Sequence, residues 1–517
     1  MDSTLAARPA SLDTAGTRWR GLLAAIDMGS NSFRLELGQL DGVRYRRIDY
    51  LKETVRLGAG LDENGLLTEE AMLRGLACLA RFANRLKGVA AWQVRAVATQ
   101  TLREARNRNA FLARAETMLG FPIEVISGRE EARLIYAGVA RLQPSTQPRL
   151  VIDIGGRSTE MILGHGRKPV CAESFQVGSV SLSMKFFGNG RYTEAAFRAA
   201  QVAAGAELEE ALQPFAPAHW VEALGSSGTV GAVSQLLQAN RVTDGRITPG
   251  ALRWLMEQCI AAGRVDRLAL AGLKEDRRAI IAGGLSILYT LATHFGIDAL
   301  LPARGALRQG VIFDLDERLN AGQQPNDGED MRDCSVRELQ RRFLVDEPQA
   351  LRVAQVADQL YHHVQPDASR DSHRELQWAC ALHELGMMVS HHDHHRHSAY
   401  MLGHVDAPGF SQSQQRRLAE LVLAQRGGLR KVEASLTQAD FAWQALCLRL
   451  AIIKCHARGT VDKHAIALRR SGSVAELSWQ PGWLENHPRT HYLLTEEAAS
   501  WQRSGSLQLE LPRTMGY

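Results

Sequence analysis

Apolar and polar positions divide the chain into three regions of different rhythm. An apolar run at 22–27 ends in the polar turn Asp27-Met-Gly-Ser-Asn-Ser32, and apolar positions resume at 33–40, predicting strand, turn and returning strand. Helical periodicity follows at 69–87 and 109–119, with a strand between them at 93–99 and another at 124–127 leading into a helix. Pro144-Ser-Thr-Gln-Pro148 has the composition of a linker. The opening pattern then recurs as an apolar strand at 150–154, the turn Asp153-Ile-Gly-Gly-Arg-Ser-Thr-Glu160 and a strand at 161–163. This is duplication at the level of a motif. A third turn, Gly225-Ser-Ser-Gly-Thr229, lies between an apolar run at 220–224 and helical periodicity at 230–237. Residues 279–297 lack Asp, Glu, Lys and Arg over 19 positions, long enough to span a membrane. Gly283, Gly284, Ser286, Thr290, Thr293 and His294 within them predict a buried core helix instead. Past the breaker cluster at 322–328 the pattern is mostly helical to about 470, and a tail with strand character at 492–494 and 507–511 closes the chain.

Composition narrows the possibilities only in part. The chain has 517 residues, enough for two to four domains. Its 45% hydrophobic and 23% charged content is that of a soluble globular protein. A net charge of +5 is too mild to define a nucleic-acid protein, and no nucleic-acid partner is expected. Seven scattered cysteines without a CxxC fit a reducing compartment, so a cytoplasmic location is expected. The first twenty residues have no apolar core for a signal peptide and read as a flexible tail. Ten of the seventeen histidines lie between His362 and His404, five of them at 391–397. Helical spacing scatters these five around the axis without a completing carboxylate, so they read first as surface or interface residues. Contact with an anionic chain when protonated, and metal binding, are the alternatives.

The candidate chemistry lies earlier. Glycine-rich turns at strand ends can aim successive backbone N–H groups at phosphate oxygens, and Ser and Thr hydroxyls add donors. Asp27 and Asp153 would repel a phosphate; a carboxylate there suits a magnesium ion or an attacking water. Ser127-Gly-Arg-Glu130 matches a capping box, which predicts a helix start and assigns Glu130 to the cap. Glu131 then shares a face with Leu134, Ile135, Gly138 and Leu142. A partly desolvated carboxylate there could accept a proton from water, or it is a first-turn Glu favoured by the helix dipole.

Six motifs in order carry a resemblance: Asp27-Met-Gly-Ser-Asn-Ser-Phe33, Ala98-Thr-Gln-Thr-Leu-Arg103, Ser127-Gly-Arg-Glu-Glu-Ala132, Asp153–Glu160, Gly225–Thr229 and Gly305-Ala-Leu-Arg-Gln-Gly310. Together they resemble the Ppx/GppA family of exopolyphosphatases and guanosine pentaphosphate phosphohydrolases. Leu382-His-Glu-Leu-Gly386 and His397-Ser-Ala-Tyr400 are similar to its long form. The resemblance implies an α/β fold of two actin-like (RNase H-like) ATPase domains with a cleft between them. An all-α HD-like domain and a small C-terminal domain follow. The expected boundaries are a tail at 1–20, actin-like domains at 21–144 and 145–325, the helical domain at 326–460 and the last domain at 461–517. It also implies Mg²⁺-assisted hydrolysis of a terminal phosphoanhydride, with other divalent cations as substitutes. By the same resemblance Glu131 is the base that activates water, and Asp153 and Glu160 lie near metal and water, with Asp27 a third metal carboxylate. Gly29, Ser30, Asn31, Ser32, Arg103, Gly155, Gly156, Arg157, Ser158, Thr159, Gly228 and Thr229 match phosphate-binding positions.

Three departures accompany the resemblance. Arg157 stands where the family has a third glycine, and either adds donors to a phosphate or faces outward. Gln309 replaces a Glu. His383-Glu384 replaces the His-Asp doublet of HD phosphohydrolases, which argues against a catalytic metal there. The leading expectation is an exopolyphosphatase acting on inorganic polyphosphate. The first alternative is a pppGpp 5′-phosphohydrolase, and an alternative of another class is a non-hydrolytic sensor of phosphate chains or nucleotides. No sugar- or acetate-kinase signature is present. A homodimer without an integral membrane segment is expected.

Overall fold

The computed structural model describes residues 21–41, 44–321 and 329–512. The expected tail at 1–20 and the breaker cluster at 322–328 lie outside the described residues. The chain divides into two compact units, Met1–Asp330 and Met331–Tyr517.

The first unit is built on two sheets of identical topology. One comprises β1 (Leu22–Met28), β2 (Phe33–Asp41), β3 (Arg44–Glu53), β4 (Val94–Ala98) and β5 (Ile123–Val125), in the order β3-β2-β1-β4-β5. The other comprises β6 (Arg149–Ile154), β7 (Thr159–His165), β8 (Lys168–Phe175), β9 (Glu222–Gly225) and β10 (Leu300–Pro302), in the order β8-β7-β6-β9-β10. In each, three antiparallel strands are followed by two parallel ones, the arrangement of an actin-like lobe. The motif duplication is thus a duplication of whole lobes. The edge strands β3 and β8 were not legible, because they bury almost none of their residues fully, show no apolar alternation and owe their pairing to the neighbouring strand. Helices lie where the periodicity places them, at Glu69–Arg85, Arg108–Leu119, Gly228–Ala239 and Ile281–His294. The last is the apolar stretch, and it is buried. Among the described residues no helix is long and apolar enough to cross a membrane.

Two helices exchange lobes. Gly128–Leu142 follows the strands of the first lobe but packs on β7 and β8, and Leu307–Asn320 follows the second lobe but packs on β1 and β2. They meet through glycine. A Cβ on Gly310 would lie 1.7 Å from the Leu134 carbonyl oxygen, and one on Gly138 2.3 Å from that of Ala306. No side chain fits either position. Beside this crossing is a buried charge network that the sequence did not announce. Asp314 accepts from Arg95 at 2.7 Å and Arg318 at 2.6 Å, and also from Arg133. Burial would raise the Asp314 pKa, but Arg318, Arg133 and Arg95 together hold it well below the usual carboxylate range. Glu130 belongs here too. The Ser127 hydroxyl accepts from the Glu130 N–H at 3.2 Å, as a cap should. The Glu130 carboxylate, expected at the cap, instead takes two bonds from Arg133, at 2.7 and 2.8 Å.

The second unit is helical around one core. Its sheet, β11 (Ile466–Ser471), β12 (Val474–Trp479) and β13 (Gln508–Glu510), contributes to that same core. The expected strand at 492–494 lies inside the helix Pro488–Ser504, where Leu494, Glu497 and Trp501 recur at helical spacing on the buried face. The histidine run is also only partly superficial. His394 and His395 are buried, and their Nδ1 atoms have no hydrogen-bond partner. Burial pushes both down to about 4.

Replacing Asp314 by Ala leaves three guanidinium groups gathered around a missing carboxylate. The substitution is expected to destabilise the first unit by about 3–5 kcal/mol, read from denaturant unfolding. A loss below about 1 kcal/mol, the range of a surface pair, would contradict the account.

Candidate active site

A cleft of 320 Å³ is lined by residues of both lobes. All three glycine-rich turns reach it: the β1–β2 turn, the β6–β7 turn, and the turn joining β9 to the helix Gly228–Ala239. Each is held by its own bonds. The Ser30 carbonyl accepts from Gly58 N–H at 2.8 Å, and Thr101 Oγ1 donates to the Ser30 hydroxyl at 2.7 Å. The Gly155 N–H donates to the Ser158 carbonyl at 2.9 Å. Ser227 caps the third helix by accepting from the Val230 N–H at 3.1 Å, so that helix opens its N-terminus to the cleft. Of the expected phosphate contacts, Gly29, Ser30, Asn31, Ser32, Gly155, Gly156, Ser158, Gly228 and Thr229 line the cleft.

The strand register explains the carboxylates. Asp27 on β1 faces Arg34 on β2, and at the equivalent place Asp153 on β6 faces Glu160 on β7. The first pair is complementary, with Arg34 donating to Asp27 at 3.0 Å. The second sets two carboxylates opposite each other, which opposes folding. Glu131 opens the helix Gly128–Leu142 and lines the cleft with Asp27 and Asp153. Burial pushes Glu131 up to about 7; Arg103 pulls it down, while Asp27 and Asp153 add to the rise. Burial likewise pushes Asp153 up to about 6. Glu160 is raised further, by burial and then by Glu131 and Asp153. Such mutually strained carboxylates mark a site arranged for chemistry rather than stability.

Four expected site residues are buried or engaged outside the cleft lining. Glu160 is covered and accepts from the Ser174 hydroxyl at 2.8 Å. Thr159 donates to the Val177 carbonyl at 2.6 Å, a bond internal to its lobe. Arg103 donates to Glu131 at 2.7 Å, to the Ile126 carbonyl at 3.0 Å and twice to Gln100. It therefore holds the candidate base directly. Arg157, expected to contact phosphate or face outward, is turned into the protein and lies outside the cleft lining. Its guanidinium is bound by Glu104 at 2.8 Å and by the Gly58 carbonyl at 3.3 Å. Its backbone is not among the positive-φ positions, so the loop accommodates an arginine without strain.

Four cations absent from the expected phosphate contacts also line the cleft: Arg34, Lys52, Arg277 and Arg308, the last within the Gly305–Gly310 motif. Lys52 is pushed down by burial and by Arg277, and Arg277 by burial and by Arg34. Positive charges crowded together and partly desolvated favour the binding of an anion. Arg308 is anchored by donating to Glu36 at 3.1 Å. Gln309 donates to both oxygens of the same carboxylate, at 2.6 and 2.8 Å. An amide therefore satisfies Glu36 where a second carboxylate would repel it. Arg34 was within reach of the sequence, since Asp27 to Arg34 and Asp153 to Glu160 are the same seven-residue step. Lys52 and Arg277 come from an edge strand and the short helix Glu275–Arg278, and no local pattern marks them.

Topology and cleft together define a class: an actin-like fold of two lobes with a polar cleft between them. Residues 41–319 match the Ppx/GppA phosphatase family, and residues 331–498 match Ppx/GppA phosphatase domain III. The chain belongs to the Ppx/GppA phosphatase family and is a hydrolase. An exopolyphosphatase from Cytophaga hutchinsonii is 26% identical, over 57% of this chain and 98% of that one, with a TM-score of 0.53. An exopolyphosphatase-like protein of known structure is 24% identical, over 58% and 99%, with a TM-score of 0.52. The Aquifex aeolicus Ppx/GppA enzyme is 26% identical, over 56% and 98%, with a TM-score of 0.49.

Carboxylates whose pKa is raised by folding contribute stability below the unfolded value near 4, and that contribution is lost as pH rises through the folded values. For Asp153 and Glu131 the folded values are about 6 and about 7. Glu160→Gln removes one repelling charge, so it is expected to raise the melting temperature by a few degrees at pH 8 and little at pH 5. Thermal melts in the presence of a chelator check this, and a stabilisation equal at both pH values would contradict it.

Proposed function

We propose that the cleft hydrolyses the terminal phosphoanhydride of inorganic polyphosphate. The observation that carries this reading is the wall of four cations, with backbone donors of three turns, in one cleft with a carboxylate raised to about 7. Cations and N–H groups neutralise a chain of phosphates. Glu131 takes a proton from water, the water oxygen attacks the terminal phosphorus, and the bond to the bridging oxygen breaks. Orthophosphate and a chain one unit shorter result. The reaction needs charge neutralisation and an in-line nucleophile more than covalent help.

Asp153 and Glu160 would hold a Mg²⁺ ion, with Asp27 close by. Among the described residues no three His, Cys, Asp or Glu side chains form a group able to hold a metal by themselves. That suits Mg²⁺, which combines one or two carboxylates with waters and substrate phosphate oxygens. When bound, the ion neutralises charge on the phosphates. The repulsion among Asp153, Glu160 and Glu131 favours such a cation.

The lining also bears on substrate choice. Tyr50 is the one aromatic ring among the described lining residues, and the Arg308 guanidinium lies over it at 5.1 Å. A guanine base finds no free aromatic platform in this cleft, which favours polyphosphate over pppGpp. Phosphate release is therefore expected to be faster from long polyphosphate than from pppGpp at equal terminal-phosphate concentration. Equal or faster release from pppGpp would reverse the assignment. Glu131→Gln is expected to lower kcat about 10²–10⁴-fold with little change in KM; an unchanged rate would leave a sensor rather than an enzyme.

Metal and pH dependence provide a separate check. Chelation should abolish release, and Mg²⁺ should raise the melting temperature more at pH 8 than at pH 5, because only ionised carboxylates attract it. Activity requires Glu131 deprotonated, so the rate rises with pH. A bound cation lowers the Glu131 pKa from about 7, placing the acidic limb at or below that pH. A limb well above 7, measured with saturating Mg²⁺, would exclude Glu131 as the base.

A further inference from the structure

We infer that Arg157 is a latch between the two lobes and, through Glu104 and Gln100, a positioning residue for Arg103 and Glu131. The inference rests on the hydrolase reading above and adds to it a residue outside the cleft lining. Arg157 lies in the β6–β7 turn of the second lobe, whereas Glu104 and Gly58 belong to the first. Its Nε and Nη2 reach the same Glu104 oxygen, at 2.8 and 2.7 Å, and its Nη1 donates to the Gly58 carbonyl at 3.3 Å. The Arg157 side chain packs tightly there, its Cδ 3.0 Å from where a Cβ on Gly58 would lie. The loop it grips is the one whose Gly58 N–H holds the phosphate turn at Ser30. One side chain thus ties the second phosphate turn to the support of the first.

From Glu104 the connection continues inward. The other Glu104 oxygen accepts from Gln100 Nε2 at 2.6 Å. That bond sets the orientation of the Gln100 amide, because only one of its ends can donate. The Gln100 oxygen is thereby turned to Arg103, where it accepts from Nε at 3.0 Å and Nη2 at 2.6 Å. The remaining Arg103 nitrogen, Nη1, donates to Glu131 at 2.7 Å. Every side-chain nitrogen of Arg157, Gln100 and Arg103 and both Glu104 oxygens have a defined partner, so loosening the outer end frees the inner end to turn. A glycine at 157 supplies none of this. The position that departs from the family pattern is therefore the outer anchor of a bonded chain ending on the candidate base.

The test uses the full chain with R157G, R157K, E104Q, Q100L and the R157G/E104Q double variant. Steady-state phosphate release from inorganic polyphosphate is measured with Mg²⁺, and backbone hydrogen exchange is followed without substrate. R157G and E104Q are each expected to lower kcat about 3- to 10-fold, with KM within about twofold. The double variant should be no worse than the worse single one, and R157K should recover most of the loss. Q100L should lose kcat similarly while exchange at 57–60 stays slow; in R157G, exchange quickens at 57–60 and at 100–104. General loosening of the fold would instead give additive losses and no recovery with lysine. Unchanged kcat in R157G, additive losses, or unchanged exchange at both segments would each overturn the latch. If the unsubstituted protein releases no phosphate from polyphosphate, the proposed function fails; exchange alone then decides the latch, faster exchange in R157G upholding the tie and unchanged exchange removing it.

Discussion

The contact on which the first unit depends is the crossing of two helices through Gly138 and Gly310. A Cβ at Gly310 would lie 1.7 Å from a carbonyl oxygen of the facing helix. Each helix begins in one lobe and packs on the sheet of the other, so this contact sets how the lobes meet at the base of the cleft. Glu131 opens the first of these helices, three residues before Leu134, whose carbonyl Gly310 meets. The depth of the candidate base is therefore decided by backbone packing one helical turn away. The Arg95, Arg133 and Asp314 network, also buried between these helices and β4, adds a directional requirement to the steric one. Hydrophobic burial alone would allow the helices to slide, whereas a carboxylate shared by guanidinium groups from two other elements permits one register.

Above that base the cleft gathers like charges. Carboxylates crowd together until their protons are hard to remove, and cations crowd together until Lys52 and Arg277 are less basic than usual. Neither arrangement stabilises the chain. Each lowers in advance the cost of binding a ligand of opposite charge, because part of the desolvation is already complete when the ligand arrives. The proposed grip on a polyanion therefore needs no large net charge, and that of the chain is only +5.

Much of this was legible in the sequence, and what was not has physical reasons. The strand–turn–strand repeats gave both hairpins, because glycine and polar residues at strand ends are local signals. Glu131 was legible because the capping position and the apolar stripe fix its phase on one helix. Glu130 was misassigned although its cap was correct, because its carboxylate is taken by Arg133 three residues on, a helical pairing that competes with the cap, and is approached by Arg95 from a distant strand. Lys52 and Arg277 escaped because residues far apart in the chain meet only in the folded cleft. Arg157 was seen as an exception to the family's glycine, but its partner on another lobe was not. The histidines at 391–397 were read from helical spacing alone, which could not show that one turn of that helix buries His394 and His395.

The duplication also shows how one hairpin design serves two purposes. In both lobes an aspartate on the first strand pairs across to the residue seven positions on, Arg34 in one case and Glu160 in the other. Arg34 neutralises Asp27 and leaves a guanidinium facing the cleft, so the first lobe offers a net donor to phosphate. Glu160 sets a second carboxylate opposite Asp153, and on the proposed function this pair is what would attract a cation. On the proposed function, a symmetric pair of hairpins would either repel the phosphate chain from both sides or leave nothing to attract a cation. The difference at this register position is what would make two copies of a fold complementary halves of one site.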